Sequence, residues 1–193
     1  LRSEGHLIER VYPPLKLLAV RSGLGMYGRN NICYIDGMGS LFRLMAWVSD
    51  LKASGEIWGE ARRMPACDHC SLCLQSCPTH CIESKRRTIH AERCLTNLNE
   101  SENPLPPWVE KTWHHTLVGC LRCQVACPQN QAYLEPVTWD ETLEEAEVAL
   151  ILAGVEMEQL TPALRRKLQN LDMLEYYAGK ALSRNFRLLV GQE

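Results

Sequence analysis

Two cysteine runs constrain this chain more than any other feature. "CDHCSLCLQSCP" places Cys67, Cys70, Cys73 and Cys77 at gaps of two, two and three residues, with Pro78 directly behind. "CLRCQVACP" repeats the plan from Cys120 through Cys123 to Cys127 and Pro128, with one cysteine fewer. Thiolates select soft metals, chiefly zinc and iron–sulfur clusters. Zinc sites favour two separated pairs of ligands. Three cysteines at two-residue gaps and a fourth before proline is the run of bacterial ferredoxins, where the Cys-Pro cysteine serves the other cluster. Two structural zinc sites would account for eight thiolates but not for the Cys-Pro endings.

The expected scheme is therefore crossed. Cys67, Cys70 and Cys73 hold three irons of one 4Fe-4S cluster, and Cys127 supplies the fourth ligand. Cys77 joins Cys120 and Cys123 at a second cluster, which leaves one thiolate to find among Cys33, Cys81 and Cys94. Cys33 lies in an apolar strand and reads as a small core residue. Cys81 follows Cys77 by four residues, which keeps a nearby role open. Cys94, in "AERCLTN", lies between the runs with loop freedom on both sides and is the expected ligand.

The rest of the chain reads as α+β. The expected stretches are 1–60, apolar and punctuated by glycine; 61–135, loop-rich and holding nine of the ten cysteines; and 136–193, cysteine-free and helical. "PPLKLLAVRSGLG" predicts a short helix started by Pro13 and Pro14 and stopped by Gly23 and Gly25. "NICYI" and "FRLMAWVSD" predict strands on either side of the "DGMGS" turn. In the tail, "TWDETLEEAEVALILAG" predicts a helix with acids in its first turn and a stop at Gly154. "TPALRRKLQNL" predicts another, with Thr161 as N-cap and Pro162 first in the helix. A last helix is expected from about Met173 to Leu189.

Composition narrows the function. A net charge of −2 gives no strong field for gripping phosphates. The first residues lack a signal-peptide plan, and no stretch reaches roughly 18 uncharged apolar residues. Clustered thiols in such a chain point to a reducing compartment, so the cytoplasm is expected.

Three segments resemble the epoxyqueuosine reductase family, cobalamin-dependent iron–sulfur enzymes related to reductive dehalogenases. They are "AVRSGLGMYGRNN" (19–31); the cysteine segments "CDHCSLCLQSCPTHCI", "AERCLTN" and "GCLRCQVACPQN"; and "ALSRNFRLLVGQ" near the end. The resemblance implies that Cys94 completes the second cluster. It implies that 1–60 is the C-terminal portion of a cobalamin-binding α/β domain, followed by a ferredoxin-like double-cluster domain and a helical tail. Arg21, Gly23, Gly25, Tyr27, Gly28 and Asn30 would then approach the cobalamin, with the glycines letting backbone come close. The family's cobalamin domain extends well upstream of this segment, so a fragment is expected.

The implied activity is that of an oxidoreductase of queuosine biosynthesis. Electrons would come from a flavodoxin- or ferredoxin-type donor and act on a substrate carried by tRNA. The 58 tail residues leave little room for the tRNA-binding helical repeats of some members. Glu4 and Glu9 are the acids nearest the first motif; Glu9 as proton donor competes with an exposed surface charge, and the catalytic acid stays unassigned. The alternative function is a dicluster ferredoxin-like electron relay without its own catalytic site. His69, His80, His114 and His115 are candidates for tuning a cluster, and Trp108 and Trp113 for covering one from water.

Overall fold

The computed structural model describes residues 2–53, 55, 58–135 and 141–191. In chain order they form β1 (Ile8–Val11), α1 (Leu15–Arg21), β2 (Met26–Tyr27), β3 (Cys33–Tyr34) and β4 (Ala46–Ser49). There follow α2 (Leu72–Gln75), α3 (Leu95–Glu100), α4 (Arg122–Val125), α5 (Glu145–Ala153), α6 (Pro162–Asn170), α7 (Leu174–Ala178) and α8 (Ala181–Val190). The architecture is α+β. Two compact units interleave along the sequence: 1–76 with 82–89 and 122–135, and 77–81 with 90–121 and 136–193.

In the first unit, α1 starts behind Pro13 and Pro14 and ends at Ser22, where Gly23 turns to φ +80°. The two strands expected around the "DGMGS" turn exist but do not pair with each other. β3 pairs antiparallel with β2, Tyr27 opposite Cys33, whereas β4 pairs with β1, Val11 opposite Ala46. Neither β1 nor β2 shows the alternation that marks a strand, which is why the sequence hides them. The Tyr27 N–H donates to Arg62 O at 2.8 Å, and the Met64 N–H donates to Tyr27 O at 2.9 Å. These bonds tie β2 to the start of the first cysteine run. Cys33 is buried against Ala19 and Val20; Tyr34, Met64 and Cys67 form a second apolar cluster, with Ile32 and Cys127 at its border.

The second unit has a helical core of Ile151, Leu160, Leu164, Leu168, Tyr177 and Leu182. Thr161 Oγ1 accepts from the Leu164 N–H at 3.1 Å, capping α6 over Pro162 as the sequence predicts. α5 starts at a capping box between Glu144 and Glu147 and stops at Gly154, φ +63°. Its expected beginning at 138–140 lies outside the described residues. The long last helix is in fact two. Lys180 adopts φ +63°, and a Cβ on Gly179 would lie 2.7 Å from Glu102 Cγ. A continuous helix cannot pass that reversal.

Candidate metal centre

Within the first unit, four thiols line one small cavity: Cys67, Cys70, Cys73 and Cys127. The α2 turn carries Cys73 and packs on the α4 turn, which leads into Cys127. Burial pushes the Cys73 thiol up to about 11, with the neighbouring Cys67, Cys127 and Cys70 adding to the rise. Thiols gathered closely enough to raise the pKa of Cys73 favour a positively charged core that neutralises them. The donor set fits a cubane cluster: four thiolates, three from one run and one from a Cys-Pro. Among the described residues, no three His, Cys, Asp or Glu side chains converge on a single metal ion.

The glycine-rich segment forms the wall of this cavity. The Arg29 N–H donates to Cys67 Sγ at 3.4 Å, and the Arg29 guanidinium donates to Cys67 O and to Ser84 O. Tyr34 OH accepts from Asn30 Nδ2 at 2.9 Å; burial first, then Cys127, raises its pKa. Gly28 is forced here. A Cβ on it would lie 2.5 Å from both Asn30 Oδ1 and Tyr34 Cε2. On the far side, Asn130, fully buried, binds Ser40 and accepts from its N–H at 2.8 Å. Arg29, Tyr34, Ser40 and Asn130 were not singled out from sequence. Arg29 lies inside the 19–31 motif and Asn130 in the "CPQN" that closes the second run, which was the signal available.

The six residues expected at a cobalamin lie in two groups. Gly28 and Asn30 pack around Tyr34, and Tyr27 is engaged in β2. Arg21, Gly23 and Gly25 line a different cleft of about 400 Å³. The Arg21 side chain donates to Gly59 O at 3.3 Å and lies 5.6 Å over the Trp58 ring. A Cβ on Gly25 would lie 2.5 Å from Tyr34 O and 2.8 Å from Cys33 Sγ. Glu9 stands exposed on β1.

In the second unit, Cys77, Cys81 and Cys94 meet. Cys77 Sγ lies 3.4 Å from Cys81 Sγ and 3.5 Å from Thr79 Oγ1. Hydrogen bonding to Cys81 brings the Cys77 thiol down to about 5 and the Cys94 thiol to about 6. Cys94 is the N-cap of α3, and Cys120 follows Gly119, whose carbonyl accepts from Asn99 Nδ2 on α3 at 2.8 Å. The carbonyls at the end of α3 are held by Arg184 of α8. Its guanidinium donates to Leu98 O at 2.9 Å, Ser101 O at 3.0 Å, Asn99 O at 3.3 Å and Asn103 O. Asn185 Nδ2 donates to Asn99 O at 2.8 Å and to Leu117 O at 2.7 Å. The "SRN" of the third segment thus positions the elements that carry Cys94 and Cys120. Cys123 lies in α4.

Of the histidines, His69, His80 and His115 are exposed. His114 is buried, and burial lowers its pKa. Trp108 is 42% exposed, with its ring centroid 6.4 Å from that of Trp113 and Arg93 over its face.

Comparison with known proteins decides the relationship. Residues 66–130 match the family described as a 4Fe-4S double cluster binding domain. An epoxyqueuosine reductase of Alicycliphilus denitrificans is 29% identical over 150 residues, 74% of this chain and 37% of that protein. The chain is similar in sequence to the epoxyqueuosine reductases over that stretch. Its fold is theirs as well. The structure of epoxyqueuosine reductase from Streptococcus thermophilus matches with a TM-score of 0.65 and 19% identity, covering 97% of this chain and 49% of that one. An epoxyqueuosine reductase solved with an epoxyqueuosine-modified tRNA-Tyr stem loop matches at a TM-score of 0.67 and 20% identity, over 98% of this chain and 50% of that one. The chain spans about half the length of these solved relatives and less of the first curated one. No helix among the described residues is long and apolar enough to cross a membrane.

Proposed function

We propose that this chain is the electron-transferring part of an iron–sulfur oxidoreductase of the epoxyqueuosine reductase type. It would hold two 4Fe-4S clusters, one on Cys67, Cys70, Cys73 and Cys127, the other on Cys77, Cys94, Cys120 and Cys123. The observation that carries the reading is the single cavity bordered by three thiols of one run and the Cys-Pro thiol of the other. When bound, such clusters supply one-electron transfer at potentials set by charge, hydrogen bonds to sulfur and exposure. The chain's own residues do the tuning. The Arg29 N–H bonds the Cys67 sulfur, and Tyr34 lines the same wall, where buried Met64 helps exclude water.

The donor in this reading is a flavodoxin or ferredoxin, the compartment the cytoplasm, and the substrate a tRNA-borne base, as in the stem-loop complex of the relative. A cobalamin acceptor in this reading would draw on Arg21, Gly23 and Gly25, which line a cleft of about 400 Å³, and on Tyr27, Gly28 and Asn30. The cavity of four thiols also supports a second reading for the chain by itself, a dicluster relay that passes electrons to a separate catalytic partner.

Anaerobic reconstitution tests the first claim: about eight irons and eight sulfides per chain are expected for two cubanes. Stoichiometric zinc without sulfide would overturn it. Addition of cobalamin and an epoxyqueuosine-containing stem loop to the reduced protein then separates the readings. Substrate reduction supports the reductase, and cluster oxidation only by an added partner supports the relay.

A further inference from the structure

Cys81 is the one cysteine beside the proposed clusters to which neither scheme gives a task. It is 3% exposed, and its Sγ lies 3.4 Å from Cys77 Sγ. The backbone is built to bring it there. His80 adopts φ +50°, rare for a residue with a side chain, and its N–H donates to Cys77 O at 3.2 Å. The chain thereby folds back within "CPTHC", and the Cys81 carbonyl is fixed by the His90 N–H at 2.8 Å.

We propose that Cys81 is a positioning residue: a non-ligating thiol that donates its S–H to the ligand sulfur of Cys77 and raises the reduction potential of the second cluster. The proposal rests on the ligand assignment given above. If Cys77 and Cys94 bind iron as thiolates, they carry no proton and can only accept. Cys81 is then the donor to Cys77 Sγ. A hydrogen bond to a ligand sulfur draws electron density from the cluster and favours the reduced, more negative state. Burial strengthens the bond, because no water competes for the sulfur. A cysteine serving only as a small core residue would fill the same space and leave the potential where it was.

The test compares the full chain, Cys81→Ala and Cys81→Ser after anaerobic reconstitution, by iron and sulfide content and by EPR-monitored redox titration. Each variant should keep about eight irons, as two cubanes require. In Cys81→Ala the midpoint potential of one cluster should fall while the other holds, and the Ser hydroxyl should restore most of the loss. Unchanged potentials with full iron would overturn the role of Cys81 and leave the two clusters standing. Loss of about half the iron in Cys81→Ala would make Cys81 a ligand and overturn it too. A wild-type chain that takes up no iron and sulfide would remove the cluster reading itself, and the proposal with it.

Discussion

Asn130 and Ser40, ninety residues apart, are joined by a closed pair of hydrogen bonds. Asn130 Oδ1 accepts from the Ser40 N–H at 2.8 Å, and Asn130 Nδ2 donates to Ser40 Oγ at 2.8 Å. Nδ2 also donates to Gln124 O at 2.9 Å, so one buried amide binds the end of the glycine-rich segment to the second cysteine run. Asn130→Ala leaves the buried Ser40 N–H without its partner, at a cost of about 1–3 kcal/mol. The expected outcome is a lower urea midpoint at unchanged m-value, with faster loss of iron from the reconstituted protein. An unchanged midpoint would show that the amide does not secure the site.

Crossed ligation predicts that damage to the second run appears at the first. Cys127→Ser should abolish or convert the cluster attributed to Cys67, Cys70 and Cys73, because all four thiols border the same cavity. EPR of the reduced variant, compared with Cys67→Ser, reads this directly. The two variants should lose the same signal.

Much of the site was legible because ligand spacing is local. The two runs, the Cys-Pro endings and Cys94 are written in the sequence, and the helix signals at Thr161, Pro162 and Gly154 are local too. What escaped depends on pairing between distant segments. The density of glycine at 19–40 suggested backbone held against a large ligand. Gly25 and Gly28 instead meet the chain's own Tyr34 and Cys33, and Gly39 would crowd Asn130. A substitution such as Gly25→Val or Gly28→Val would therefore disturb the first unit itself and cannot isolate a corrin contact. The break at Gly179 escaped for the same reason: periodicity runs on through it, and only Glu102, far away in sequence, marks the close approach.

Arg184 predicts a long-range effect on metal content. Arg184→Lys keeps the charge but loses the planar fork that reaches several carbonyls at once. With the carbonyls after α3 released, the helix capped by Cys94 should loosen. The expected result is a protein that folds with a lower Tm, by several degrees for a loss of about 1–3 kcal/mol. It should also lose the second cluster before the first during chelator challenge. Equal loss of both would mean that the clamp serves overall stability alone.

Glu147 and Lys167 predict a pH window for the helical tail. Lys167 Nζ lies 2.7 Å from Glu147 Oε2 and also donates to Thr142 O at 2.7 Å. Its hydrogen bond lowers the Glu147 pKa, helped by the Glu144 N–H, so this stabilisation is present above the ordinary value of 4.5 and is lost as pH falls through the lowered one. Lys167 is raised by the same partner, so its share is complete below 10.5 and is lost as pH rises through the raised value. Glu147→Gln keeps the capping acceptor for Glu144 and removes the charge. The Tm difference between wild type and Glu147→Gln should be flat between those limits and narrow outside them. A difference that persists unchanged well below pH 4.5 would assign the effect to capping geometry instead of charge.

The last prediction separates ligand from core among the cysteines outside the two runs. Cys94 caps α3, which Arg184 and Asn185 hold in place, and its thiol is brought down to about 6, first by hydrogen bonding to Cys81. Cys33 is 2% exposed among Ala19 and Val20, and burial pushes its thiol up. Metal binding itself deprotonates a thiol, so position decides: Cys94 lies beside Cys81, which touches Cys77, whereas Cys33 packs among apolar side chains. Cys94→Ala should therefore lose about half the iron and sulfide, or convert one cluster to a three-iron form with its own EPR signature. Cys33→Ala should keep both clusters and pay only in packing, roughly 1 kcal/mol for a small buried side chain. If Cys33→Ala lost a cluster and Cys94→Ala kept both, the fourth ligand would have to be reassigned.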